Sequence, residues 1–293
     1  MTKRFIAGIA LAASSLAPVP AAAQAKPTDI YVSVVNGKGD PVTGLTAADF
    51  TVREDNVARE VLKAGPATEP LTVALLVDDS QALNQDVSMF REGLRNFIRA
   101  LSGKGEIALI TFGERPVISV DYTTDTKKLE DAANRIFPRP GSGAYLMDAI
   151  VDVSRGLQKR EAKRPVIVVL MLEDVEFSTR YYQQVLDEID KSRAALNVVA
   201  LGQPEPNTQD EIRNRNMVVA EGTARTGGRR EQVLAATGIP GKMKQLAEEL
   251  INQYVVTYAR PEALIPPEKV SVSVSRPGVT VRARTRTGVV GAR

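Results

Sequence analysis

Residues 71–83 read LTVALLVDDSQAL. The run Val73–Val77 is apolar at every position, without the polar alternation of a strand that faces water on one side. Such a run predicts a strand covered on both faces, the usual state of a parallel strand between helix layers. It leads directly into Asp78, Asp79 and Ser80. In open α/β sheets the carboxyl ends of strands are where ligands sit, so the three oxygen-bearing side chains mark a candidate site.

Downstream of this strand the pattern repeats. Residues 84–101 carry Val87, Phe90, Leu94, Phe97, Ile98 and Leu101 at helical spacing. IALITF at 107–112, VIVVLML at 166–172 and NVVAL at 197–201 are further buried strands, and Val117–Val120 is a short edge strand. Residues 125–136, 145–159 and 180–196 read as helices. Alternating strands and helices predict a three-layer, doubly wound α/β fold with a mostly parallel sheet. Residues 203–241 are polar and rich in Gly and Pro, and GTARTGGRR within them reads as a loop. Residues 243–254 form an amphipathic helix.

The two ends read differently. Residues 29–35 (DIYVSVV) end at Asn36-Gly37, and FTVRE (50–54) and AREVLKA (58–64) flank Asp55-Asn56, a hairpin turn. From Val255 the pattern returns to β, with VSVSVS at 270–275 and VTVRARTRT at 279–287. Neither end has enough apolar residues for its own core. They are therefore expected to combine into one small β-sandwich.

The first residues, MTKRFIAGIALAASSLAPVPAAAQA, place Lys3 and Arg4 before an apolar stretch and end in Ala23-Gln24-Ala25. This is the pattern of a cleaved secretory signal. The expected organisation is residues 1–25 as signal peptide, 26–68 as an N-terminal β segment, 69–254 as the α/β domain and 255–293 as a C-terminal β segment. The protein is expected to be exported, periplasmic or secreted, with no transmembrane segment after signal removal. Removing Lys3 and Arg4 lowers the net charge of +3 to +1. Charge alone then gives no reason to expect a nucleic-acid partner.

The chain contains no Cys, no His and no Trp. Disulfides, Ser-His-Asp and Cys-His catalysis and His- or Cys-ligated zinc are excluded. Carboxylate, Lys or Tyr chemistry and oxygen-ligated metals remain.

Several segments together carry a resemblance: GKGDPVTGLTAADFTVREDN, the strand ending in Asp78, TARTGGR, INQYVVTYARP and RPGVTVRARTRTG. From about residue 28 to the end the chain resembles the exported von Willebrand factor type A-related domain proteins abundant in acidobacteria. The resemblance implies a metal-ion-dependent adhesion site. Its pattern is D-x-S-x-S on the first loop, a Thr on a second and an Asp after a later strand, holding a magnesium-like ion that accepts a partner's carboxylate. Asp78 and Ser80 match this pattern. The second Ser position is Ala82, the Thr position is Ala144, and Glu173-Asp174 stands where Asp-Gly is usual. The implied metal ligands are thus Asp78, Ser80 and Glu173 in a degenerate site with Mg as the possible ion. A cluster of Asp78, Asp79, Glu173 and Asp174 would need either a cation or a paired Lys or Arg.

Each feature also has a plainer reading. Asp78 and Ser80 are suited to capping the following turn, and Asp148 to the start of a helix. Glu173-Asp174 is either a solvated acidic pair or a carboxylate dyad. Thr226–Arg229 is either a structural turn or a phosphate nest. Arg282, Arg284 and Arg286 form one face of a strand, read as a solvated edge or as a surface for an anionic polymer. Tyr145, Phe177, Tyr181 and Tyr182 are expected partner-binding anchors, or else helix-face packing. The expected function is a non-catalytic, largely metal-independent binding module for a protein partner in or outside the envelope. The alternatives are a Mg-dependent adhesion module with a weakened site and a carboxylate-based envelope hydrolase.

Overall fold

The computed structural model describes residues 25–204, 209–262 and 267–286. The signal-peptide assignment lies almost wholly outside them. Among the described residues no helix is long and apolar enough to cross a membrane.

In chain order the strands of the first segment are β1 (Ala25–Asn36), β2 (Phe50–Glu54), β3 (Val57–Arg59) and β4 (Val61–Pro66). Asp55 and Asn56 between β2 and β3 have φ of 48° and 67°, the left-handed pair that a tight hairpin turn demands. The α/β part follows: β5 (Leu71–Val77), α1 (Val87–Ala100), β6 (Gly105–Thr111), β7 (Val117–Thr123), α2 (Thr126–Asn134), α3 (Leu146–Lys159), β8 (Pro165–Leu172), α4 (Tyr182–Ser192), β9 (Ala195–Leu201), α5 (Asp210–Thr226), β10 (Arg230–Val233) and α6 (Ile239–Ile251). The chain closes with β11 (Tyr254–Pro261), β12 (Val270–Val274) and β13 (Val279–Ala283).

The six-stranded sheet has the order β10-β9-β8-β5-β6-β7. All its pairings are parallel except β6 with β7. All seven residues of β5 are buried, and the pleat sends them to two different cores. Val73, Leu75 and Val77 pack with Phe90, Phe97, Leu129 and Met243. Ala74 and Leu76 pack on the other face with Ile150, Leu157, Leu186 and Val218. These are the two helix layers that the unbroken apolar run predicts. Strand order reverses at β5: the next strand in sequence lies on one side and β8 on the other. The residues that follow β5 therefore stand at the crevice such a reversal creates.

The terminal segments form two antiparallel sheets, β13-β1-β11-β4 and β12-β2-β3. Their shared core includes Val32, Val34, Phe50, Val52, Tyr254, Val256 and Tyr258. Strand β11 is central, pairing β1 on one side and β4 on the other, so N-terminal strands are held by a C-terminal one.

Two readings are corrected. Residues 210–226, including the GTART expected to be loop, are helix α5. The helix buries Ile212, Val218 and Val219. Gly222 brings it so close to β9 that an added Cβ would stand 2.7 Å from the Leu196 side chain. Small and polar residues serve close packing here, which local propensity does not register. The arginine face of the last strand, which lies at the edge of its sheet, is paired rather than solvated at Arg282 and Arg284, whereas Arg286 is exposed as expected. The Arg282 guanidinium donates to Glu249 at 2.8 Å. Arg284 donates to Asp190 at 3.3 Å and to the Ala194 carbonyl at 2.8 Å. The face joins the terminal β unit to α6 and α4.

Candidate functional site

The chain leaves β5 at Val77, and Asp78 is wholly buried. One of its carboxylate oxygens accepts the Ser80 backbone N–H at 2.9 Å and the other accepts that of Leu172 at 3.2 Å. The first bond is a local turn clasp. The second ties the end of β5 to the end of β8. Burial pushes the Asp78 carboxyl up, and the bonds from Ser80 and Leu172 work against that rise. Ser80 is buried beside it.

Asp79 points the other way. Its Oδ1 accepts the Gly113 N–H at 2.7 Å and its Oδ2 accepts Arg139 Nε at 2.6 Å. The Arg139 backbone N–H returns a bond to the Asp79 carbonyl at 3.0 Å. Only glycine fits at 113, because a Cβ would come within 2.4 Å of the Ser80 nitrogen. Asp79 thus joins the ends of β5 and β6 to the loop that precedes α3.

Glu173 does not join Asp78 and Ser80. Its Oε2 accepts Arg215 Nη2 at 2.9 Å, and the two side chains are 3% and 1% exposed. Ala82 packs against one core and Ala144 lies in the other. Among the described residues no group of three or more acids is able to hold a metal ion. Three of the four acids expected to cluster are instead divided: Asp79 faces Arg139, Glu173 faces Arg215, and Asp78 is held by backbone N–H groups, while Asp174 receives Arg215 through its backbone carbonyl. Mg²⁺ needs about six oxygens at about 2.1 Å in octahedral array. Two alanines and two guanidinium groups do not fit that requirement.

The loop before α3 and the loop after β8 meet through an isolated parallel bridge between Ala144 and Glu176. The Phe177 N–H donates to the Ala144 carbonyl at 2.7 Å. Phe177 then lies over Gly143, where a Cβ would collide with the ring. Tyr145 and Phe177 stack tilted with centroids 5.9 Å apart, and Tyr181 and Tyr182 form a second pair at 4.8 Å. Phe177 and Tyr181 are about half exposed, at 47% and 52%, whereas Tyr145 and Tyr182 are partly buried. The four aromatics therefore form two stacked pairs, each with one open ring. Asp148 accepts Arg180 Nε at 2.5 Å, and its own N–H donates to the Ser178 hydroxyl at 3.2 Å. Thr226–Arg229 is a helix-ending turn with Gly227 at φ 72°.

Sequence reading missed Glu176. It is buried, its Oε1 accepts the Ser178 N–H at 3.1 Å, and its Oε2 has no hydrogen-bond partner among the described residues. Burial pushes its carboxyl up to about 7, against the pull of Ser178, the Arg215 charge and the Met147 N–H. Arg139 and Arg215 were missed too, and each lies far along the chain from the acid it neutralises.

A parallel sheet whose central strand ends in D-x-S at the order reversal, flanked by helices on both faces, is the von Willebrand factor type A architecture. Residues 73–173 match the family of the von Willebrand factor type A domain. Among solved structures the fold is similar to a von Willebrand factor type A protein from Catenulispora acidiphila. The TM-score is 0.53 at 10% identity, over 93% of this chain and 75% of that one. It is similar also to proximal thread matrix protein 1 from the mussel byssus, with TM-score 0.50 at 11% identity over 64% of this chain and 49% of that one. The vWF domain of the type V pili tip protein Mfa5 from Porphyromonas gingivalis has TM-score 0.47 at 9% identity over 62% and 95%. No curated protein matches. At these identities the likeness is one of fold.

Proposed function

We propose that the protein is an exported, non-catalytic protein-binding module of the cell envelope that engages its partner largely without a metal. The observation that carries this reading is the division of the site's acids. Arginine or backbone N–H groups already answer the carboxylates of Asp78, Asp79 and Glu173. The charge a cation would neutralise is thus already met from within the chain. The frame at the ends of β5, β6 and β8 is cross-linked by hydrogen bonds from Asp78 and Asp79 and presents the open rings of Phe177 and Tyr181 to solvent. Half-exposed aromatics on a rigid frame are suited to be interface anchors. The apolar stretch after Lys3 and Arg4 supports export.

The test is a pull-down of the protein against envelope extract, with and without EDTA. The partner is expected in both eluates. Asp78→Ala should weaken capture mildly, and Tyr145→Ala with Phe177→Ala strongly. Capture lost in EDTA, with the fold retained by circular dichroism, would refute metal independence.

A further inference from the structure

The Asp79–Arg139 pair forms one wall of a cleft of about 500 Å³. Arg135, Ile136, Phe137 and Arg139 line it together with Glu114 and Ser119. Its cations are poorly matched by acids. Arg135 makes no side-chain hydrogen bond or ion pair among the described residues. Arg91 donates through Nε to the Ile136 carbonyl at 2.9 Å and lies 4.0 Å from the centroid of the Phe137 ring. Arg95 donates to the Asn134 side-chain oxygen at 2.8 Å. Arg135 on the lining and Arg91 and Arg95 beside it have no carboxylate partner among the described residues, and Arg139 gives its Nε to Asp79 and only a long Nη1 contact to Glu114. The acid on the rim is Glu114, 61% exposed and 3.5 Å from Arg139. Phe137 is 62% exposed although it is a large apolar ring. Ser119 belongs to β7, the edge strand whose outer side is unpaired.

We propose that this cleft is the docking site for an extended acidic segment of a protein partner. A carboxylate is received by Arg135 and by the outer edge of Arg139, where it displaces the exposed Glu114, and an apolar side chain covers Phe137. Guanidinium groups hold carboxylates in paired, short, charge-assisted bonds. An arginine-backed aromatic is also a typical energetic centre of an interface. The cleft and its apolar ring suit a peptide that alternates acidic and apolar groups. A uniformly charged polymer has nothing to place on Phe137, and the vesicle arm of the test separates a peptide from an anionic bilayer. The inference rests on the binding-module reading and names one surface for it.

The experiment is a selection of random dodecapeptides displayed on phage, with the immobilised protein as bait. Arg135→Glu and Phe137→Ala serve as parallel baits. Both residues are exposed; Arg135→Glu breaks no side-chain bond among the described residues and Phe137→Ala gives up only the surface contact with Arg91, so both variants should fold, which circular dichroism checks. Selected peptides should be enriched in Asp or Glu beside Leu or Phe. Synthetic versions should bind at least tenfold more weakly to Arg135→Glu and lose affinity as salt rises. Peptides without acidic enrichment, or peptides that bind either variant as tightly as the parent, would overturn the proposal. So would Arg135-dependent flotation with phosphatidylglycerol vesicles without peptide enrichment. If Arg135→Glu and Phe137→Ala leave pull-down capture intact while the Tyr145, Phe177 double change abolishes it, the cleft assignment fails and the binding-module reading stands.

Discussion

Replacing Glu176 by Gln tests the charge logic of the loop that carries Phe177. The side chain is buried, with one oxygen bonded and one unpartnered, and its carboxyl is pushed up to about 7 from an ordinary 4.5. The folded state therefore holds this proton more tightly than the unfolded chain. Between pH 4.5 and 7 the native state binds more protons, so stability falls as pH rises through that window. The contribution is fully present below about 4.5 and absent above about 7. A shift of this size corresponds to about 3 kcal/mol, of which about 2 to 3 kcal/mol separates pH 5 from pH 8. Gln keeps the shape and the bond from Ser178 but carries no charge at either pH. It adds an unpaired amide costing about 1–3 kcal/mol at every pH. The informative quantity is thus a double difference. Glu176→Gln should look about 2 to 3 kcal/mol better, relative to the parent, at pH 8 than at pH 5. Urea unfolding followed by circular dichroism at the two pH values measures this. Asp78 also titrates upward, but it is common to both proteins and cancels. A parent-minus-variant difference that is flat to within about 0.5 kcal/mol would refute an ionised, unpartnered Glu176 at pH 8.

Arg215→Ala should destabilise by about 3–5 kcal/mol, because it strands the buried Glu173 carboxylate; a loss below about 1 kcal/mol in urea would show that the pair is solvated. Calorimetry with Mg²⁺ or Mn²⁺ should show binding no tighter than about millimolar, given Ala82 and Ala144 where oxygen ligands are needed; a micromolar constant would contradict the reading of those positions. Deleting residues 255–293 removes β11 from between β1 and β4 and should open residues 25–66 to protease, which mass spectrometry of limited digests would follow.

Much of this architecture was legible in the linear chain, because period and composition are local properties. The unbroken apolar runs at 73–77 and 166–172 need helices on both faces wherever they lie, and so they announce a parallel sheet. Asp55-Asn56 announces its hairpin because few other residues tolerate two left-handed conformations in succession. The termini announced that they would combine, since neither holds a core of its own. The D-x-S after β5 is expected to mark a site, and the structure places Asp78 and Ser80 at the reversal of strand order, buried. Helix α5 was not legible, because its packed face interrupts Ile212, Val218 and Val219 with Arg215, Gly222, Thr223 and Thr226 and so carries no continuous apolar stripe. Nor were the ion pairs. Asp79 meets Arg139 and Glu173 meets Arg215 across 60 and 42 residues, and Arg284 finds Asp190 across 94. A charge pairs with whatever the folded chain brings within a few ångströms, and no local spacing encodes that. The sequence therefore placed the acids at the head of the sheet, while the tertiary structure alone decided that arginines lie beside Asp79 and Glu173.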